Sequence, residues 1–223
     1  MGSTSPYTVE GSSFPAKCRP IVGDEIPFHI VDVETTGLDP EVDKIIELGI
    51  VEIMVSPSTE RLTAINFVGS FYEDPGEPID PFITKLTGIT TEMVEGHSLP
   101  DDTILSVLER SDSVLVAHNA SFDSRFVEKR YPSLKSRRWA CTIADVDWNA
   151  KDFSSSKLEY LLTCCGYFYD AHRAQNDCLA VAWLLSYVDV LKELIRSEAS
   201  LTYKISAVGS PFAAKDELKV SVR

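Results

Sequence analysis

Cations are scarce in this chain relative to acids: 21 Lys and Arg stand against 34 Asp and Glu, giving a net charge of −13 over 223 residues. That is the wrong sign for a protein that coats nucleic acid by neutralising phosphates. It leaves room for an enzyme that meets phosphates through bound divalent cations, because those ions reverse the local field. Cysteines are few, odd in number and scattered, at positions 18, 141, 164, 165 and 178. No C-x-x-C pair exists, which excludes a zinc knuckle and a dithiol redox motif, and buried, reduced thiols are expected. Long apolar runs are also missing. The longest, around Leu179–Leu191, is interrupted by Ser186, Tyr187 and Asp189 and falls short of the ~20 residues that span a bilayer. The first twenty residues have no apolar core of the signal-peptide kind, and Pro6 occupies the place where a myristoylation motif wants Ser or Thr. A cytoplasmic protein that makes no membrane contact is the expectation.

What remains is ordinary for a globular chain, with 44% hydrophobic and 25% charged residues, enough for one sizeable core. Residues 1–24 carry Ser, Thr, Gly and Pro without periodicity and read as a flexible leader. From residue 25 to 198 the pattern is that of one domain. Phe28–Val33, Lys44–Val55 and Leu62–Tyr72 read as strands. The short Ser56-Pro57-Ser58 link between the second and third implies antiparallel pairing, since a parallel crossover needs a dozen or more residues. Helices are predicted over Ile79–Leu86 and Pro100–Arg110. A fourth strand follows at Ser113–Ala117, a helix at Ser121–Tyr131 and a short fifth strand at Arg138–Thr142. A helix capped by Ser154 or Ser155 then covers Ser156–Cys165, and one long helix covers Gln175–Glu198. Strands first and helices interleaved later predict an α/β fold with a mixed sheet. Residues 199–223 contain a β-like piece, Leu201–Val208, and read as a C-terminal extension, the start of an incomplete small module.

Three short segments carry the chemistry. In Asp32-Val33-Glu34-Thr35-Thr36-Gly37, side chains at i and i+2 of a strand share a face, so Asp32 and Glu34 project together. Side-by-side carboxylates repel unless protonated or bridged by a cation. Hard oxygen donors suit Mg²⁺ or Mn²⁺; an acidic strand end that faces water would use the same residues. In His118-Asn119-Ala120-Ser121-Phe122-Asp123 a strand runs into a helix that carries Asp123 in its first turn, a position equally suited to complementing the helix dipole. His118 and Asn119 are expected to tie down that turn. In His172-Arg173-Ala174-Gln175-Asn176-Asp177 a histidine precedes the late helix and an aspartate lies in its first turns. Histidine is the side chain whose ordinary pKa suits proton transfer near neutrality; a cap and a surface histidine would look alike in isolation.

The order Asp-x-Glu-x-Thr-Gly, His-Asn-x-x-Phe-Asp, His-x-x-x-x-Asp, spread from 32 to 177, closely resembles the DEDDh branch of the DnaQ-like exonucleases, as does Gly88-Ile89-Thr90 between the first two motifs. The tyrosine-type branch is ruled out because Arg173 stands four residues before Asp177, where that branch has Tyr. The resemblance covers about Phe28 to Ser186. It implies an RNase H-like mixed five-stranded sheet flanked by helices, and a metal-dependent 3′→5′ exonuclease that releases nucleoside monophosphates. It places the metal ligands on Asp32, Glu34, Asp123 and Asp177, with two Mg²⁺ or Mn²⁺ ions per site about 3.5–4 Å apart, and the general base on His172. It also places substrate contacts at Thr35, Thr36 and Leu38. The implied partners are single-stranded DNA or RNA 3′ ends, DNA favoured, with a polymerase or a second copy of the chain as a further partner. Two other readings stay open: an RNA-trimming exoribonuclease, and a silent binding module that has kept the fold. Arg125, Lys129, Arg130, Lys135, Arg137 and Arg138 form the one basic cluster, either a guide for the incoming strand or a solvated charge run.

Overall fold

The computed structural model describes residues 18–199, apart from the side chains of 67, 68 and 197–199. The β-like piece expected at Leu201–Val208, and nearly all of the extension, lie outside the described residues.

Strands β1 (Ile26–Thr35), β2 (Ile45–Ser56) and β3 (Arg61–Tyr72) come first. They are followed by helices α1 (Pro81–Thr87), α2 (Thr91–Val94) and α3 (Asp101–Leu108). Next come β4 (Val114–Ala117), α4 (Ala120–Arg130) and β5 (Trp139–Cys141), then α5 (Leu158–Cys164), α6 (Ala174–Tyr187) and α7 (Leu191–Ala199). The sheet has five strands in the order β3-β2-β1-β4-β5. β1–β2 and β2–β3 pair antiparallel, whereas β1–β4 and β4–β5 pair parallel. The mixed five-stranded sheet expected from the sequence is thus present, and the tight 56–58 link does join antiparallel strands.

Alternation along β1 divides the core. Phe28 and Ile30 pack with Leu161, Leu162, Val181, Leu184 and Leu194 of α5, α6 and α7 on one face. Val31 and Val33 pack with Ile104, Leu108, Phe126 and Val127 of α3 and α4 on the other. Asp32 and Glu34 continue the first series, so the strand's own period aims both acids toward the α6 side.

Two expectations are corrected. The single helix over Gln175–Glu198 is broken, because Val188 is extended (φ −97°, ψ 138°) at the end of α6. The break lets Val190, Leu191 and Leu194 turn back into the same apolar cluster, and it is pinned at Asp189, whose carbonyl accepts Lys151 Nζ at 2.7 Å while its carboxylate takes Arg61 at 2.7 Å. Nor does Ser154 or Ser155 cap α5. Lys157 holds the cap position without a side-chain bond, and Ser154 is engaged with the Tyr160 hydroxyl at 2.8 Å. The cysteines also depart from a uniformly buried set: all are free, Cys141 and Cys178 are buried, and Cys18 and Cys164 are exposed. No helix among the described residues is long and apolar enough to cross a membrane.

Candidate active site

β1 sits at the centre of the sheet, which brings its acidic end between two helix N-termini. Asp32 lies opposite Gly49 and Glu34 opposite Glu47 on β2. Carboxylate oxygens of Asp32, Glu34 and Asp177 all lie within 4.8 Å of one another. Asp123 stands just behind them, 3% exposed, with Oδ1 accepting the Val33 amide at 3.1 Å. That bond fastens the first turn of α4 to the backbone between the two β1 acids. Four of the five candidate residues are therefore brought into one place, three of them in mutual reach and Asp123 through the strand. His172 is exposed on the loop that enters α6, close enough for its charge to act on Asp177.

The electrostatics are those of crowded like charges. Burial drives Asp32 well above the ordinary carboxylate range, and the charges of Asp123, Asp177, Glu34 and Glu47 push it further. Glu34 rises to about 8 through burial, then through Asp177, Glu47 and Asp123, against the pull of Arg173. Asp123 rises to about 7 through burial, opposed by the Val33 N–H. Burial also raises Asp177, opposed by the Tyr169 hydroxyl, the Arg173 amide and His172. Such a set holds protons or a cation, and its all-oxygen donors fit a hard divalent ion.

The entry to α6 is built by residues that the motif reading passed over. Glu47, 1% exposed, accepts from Arg173 Nε at 3.1 Å and Nη2 at 3.3 Å and from the Ala174 amide at 3.1 Å. It is thus spent as a helix anchor and is not a free donor. Arg173 also donates to the Tyr72 hydroxyl. A Cβ on Gly49 would lie 2.4 Å from the Ala174 carbonyl carbon, so only glycine there lets the first turn of α6 rest on β2. His172 itself has φ 63°, a left-handed conformation that costs about 1–2 kcal/mol outside glycine. Asp177 is held at both oxygens: Oδ1 accepts the Tyr169 hydroxyl at 2.7 Å, and Oδ2 the Arg173 amide at 3.1 Å. The signal for Glu47 was present as one of two charges, with Glu52, inside a largely apolar strand; Tyr169 had none.

The turn after β1 separates its three expected substrate residues. Thr35 is buried, and its hydroxyl donates to the Gly37 carbonyl. Thr36 Oγ1 meets Asp43 at 3.3 Å and accepts the Lys44 amide at 3.0 Å. Both hydroxyls therefore shape the turn, while Leu38 stands 79% exposed. His118 and Asn119 do tie down the β4–α4 turn, through Thr142 Oγ1 at 2.6 Å from His118 Nδ1 and the Asn119 carbonyl accepting from Phe122 and Asp123. Burial lowers His118 to about 4, so its ring is neutral at pH 7. The basic cluster is largely spoken for. Arg130 pairs with Glu73 and Asp101, Arg137 donates to the Arg110 and Ser113 carbonyls, and Lys129 donates to the Pro40 carbonyl. A cleft of about 410 Å³ between Asp43, Lys44, Glu73 and Lys129 contains none of the five candidate residues. Lys44 and Arg130 in this cleft pair with Glu77 and Glu73, and Lys129 donates to the Pro40 carbonyl.

A mixed sheet with acids converging from its central strand and two helix N-termini defines an RNase H-like nuclease fold, and comparison with known proteins agrees. The profile of the family described as Exonuclease (RNase T) matches residues 29–185. The chain belongs to this family, the DnaQ-like 3′→5′ exonucleases. A DNA polymerase III PolC-type protein of Thermotoga maritima is 31% identical over 184 residues, covering 75% of this chain. The chain spans only 12% of that relative's length. Among solved structures, the nuclease domain of 3′hExo, a DEDDh family member bound to rAMP, has TM-score 0.59 at 20% identity, covering 83% of this chain and 100% of that one. Exonuclease X in complex with 5′ overhanging duplex DNA has TM-score 0.55 at 24% identity, covering 76% and 92%. These two likenesses support the fold.

Proposed function

We propose that the chain is a divalent-metal-dependent 3′→5′ exonuclease that removes nucleoside 5′-monophosphates from single-stranded 3′ ends, DNA before RNA. The observation that carries this is the convergence of Asp32, Glu34 and Asp177 oxygens within 4.8 Å, with Asp123 behind them. Asp32, Glu34, Asp177 and Asp123 would hold two Mg²⁺ or Mn²⁺ ions, which supply stabilisation of the charge that develops on the phosphate. His172, beside Asp177 and open to solvent, takes the proton from the attacking water. The new bond forms between that water oxygen and phosphorus, and the bond from phosphorus to the 3′-oxygen of the penultimate nucleotide breaks. That oxygen leaves with a proton from solvent. Leu38, exposed next to the carboxylates in sequence, offers an apolar face to the terminal base, while Thr35 and Thr36 hold the turn that presents it. The catalytic unit is residues 25–198.

The preference for DNA leans on the relatives at 30% identity or better, which are named DNA polymerase III PolC-type. By the same reasoning a polymerase is the proposed partner. An RNA-trimming role is the second reading, and the sugar contact that separates the two is a matter of one 2′-hydroxyl. The test is degradation of 5′-labelled single-stranded DNA and RNA, side by side, in Mg²⁺ and in EDTA. Expected are ladders shortening from the 3′ end, DNA faster, and no cleavage in EDTA. Full activity in EDTA, or products that shorten from the labelled end, would overturn the proposal; faster RNA ladders would overturn the DNA preference.

A further inference from the structure

We infer that Tyr169 is a positioning residue for Asp177, its hydroxyl setting the carboxylate plane that the divalent cation meets. The inference rests on the reading of Asp177 as a metal ligand and adds to it a residue outside the family's motifs.

The two oxygens of Asp177 are gripped by different elements. The Arg173 amide, at 3.1 Å from Oδ2, belongs to the helix entry, and the Tyr169 hydroxyl, at 2.7 Å from Oδ1, belongs to the irregular segment before it. A carboxylate held at one oxygen still turns about χ2, which is a broad, two-fold torsion. Held at both, it has one plane, and each oxygen keeps lone-pair capacity for a cation. A phenol suits this task better than an ammonium or guanidinium would. It donates without neutralising, so the full negative charge of Asp177 stays available. A phenol ordinarily keeps its proton until about pH 10, so at neutral pH it is a donor.

The ring that carries this hydroxyl is itself fixed. Tyr169 stacks on Tyr167 with centroids 6.4 Å apart, Tyr167 on Trp183 at 4.5 Å, and Trp183 on Tyr187 at 4.8 Å. Exposure alternates along this segment, with Tyr167 and Tyr169 partly buried and Phe168 77% exposed. Asn176 Nδ2 donates to the Asp170 carbonyl at 3.0 Å and ties the segment's end to α6. Asp177, Trp183 and Tyr187 all belong to α6, so the helix that carries the carboxylate also carries the rings that aim the donor. Outer partners of this kind, when removed, cost about 10–100-fold in metal affinity or activity.

Tyr169→Phe keeps the ring and its stack and deletes only the donor, and Phe168→Ala serves as a control on the exposed side of the same segment. Mn²⁺ binding to the full chain is measured by calorimetry, melting in EDTA by circular dichroism, and hydrolysis as a function of Mg²⁺. Tyr169→Phe should bind Mn²⁺ about 10–100-fold more weakly than wild type. It should still melt cooperatively in EDTA and recover most of its rate at saturating Mg²⁺. Phe168→Ala should match wild type throughout. The inference is overturned if wild type binds Mn²⁺ and Tyr169→Phe binds it equally well, or if Phe168→Ala weakens binding as much. If wild type binds no Mn²⁺ at all, it is the metal-dependent reading beneath the inference that fails. Should Tyr169→Phe not fold, Tyr169→His, which retains a ring donor, decides: binding near wild type supports the inference, and a loss equal to that of Tyr169→Leu overturns it.

Discussion

At Glu34 the carboxylate equilibrium is displaced to about 8 by burial among Asp177, Glu47 and Asp123, and this has a consequence for the metal-free protein. A carboxyl group whose folded pKa lies above its unfolded value binds more protons folded than unfolded between the two. Stability therefore falls as pH rises through that window. Asp32, Asp123 and Asp177 are raised too, so the slopes add. Glu52, held low by its hydrogen bond to His29 and by Arg110, contributes the opposite slope only below that window. His118, lowered to about 4 by burial, also opposes it up to about pH 6.5, one histidine against four carboxyl groups. The metal-free chain is expected to melt at a lower temperature near pH 8 than near pH 5, and added Mg²⁺ should restore the loss at the higher pH. Asp32→Asn should flatten the profile. Melting curves in EDTA across that range decide it, and a transition that rises with pH would contradict the crowding. At this scale the motifs were legible because acids at i and i+2 of a strand can only share a face. Tyr169 was not, because a tyrosine in an irregular segment gives no sign of the α6 carboxylate to which it donates.

Among the elements, α6 matters most, since its first turn carries Asp177 and its entry carries His172. Two neighbouring β2 positions set its place: Glu47 ligates the entry through Arg173 and Ala174, and Gly49 yields the space in which Ala174 and Gln175 lie. Gly49→Ala would put a methyl carbon 2.4 Å from backbone, so the helix has to move. A cost of ~1–3 kcal/mol in stability is expected from overpacking, together with weaker metal binding as Asp177 leaves the β1 pair. A Gly49→Ala protein with wild-type melting and wild-type Mn²⁺ affinity would show that α6 is seated by something else. Strands and helices were readable from their periods, down to the antiparallel turn at 56–58. The break at Val188 was not, because its cause is the burial of Val190, Leu191 and Leu194 against distant strands, and periodicity is continuous across it. The caps of α5 failed for a similar reason: Ser154 found a better partner in Tyr160 than in the helix.

For the molecule as a whole, the net charge is −13, and among the described residues Arg125, Lys129, Arg130 and Arg137 of the basic cluster are engaged by the protein's own carboxylates and carbonyls. On the proposed function, cations held by the site carboxylates would attract the 3′ end, which ties binding and chemistry to the same residues. The fold class and the five candidate residues could be read from three motifs in order. What the sequence withheld was how they are held, because Glu47, Gly49 and Tyr169 act through contacts between segments far apart in the chain. The most direct test is single-turnover cleavage of 5′-labelled single-stranded DNA at saturating Mg²⁺ by wild type, Asp32→Asn and His172→Ala, each with a melting curve and a Mn²⁺ titration. Folded Asp32→Asn is predicted to bind metal poorly and to cleave undetectably, and His172→Ala to bind metal as wild type does while cleaving ~10²–10⁴-fold more slowly. A folded Asp32→Asn protein that cleaves at the wild-type rate would contradict the carboxylate site, and a His172→Ala protein that does so would remove the histidine from the chemistry.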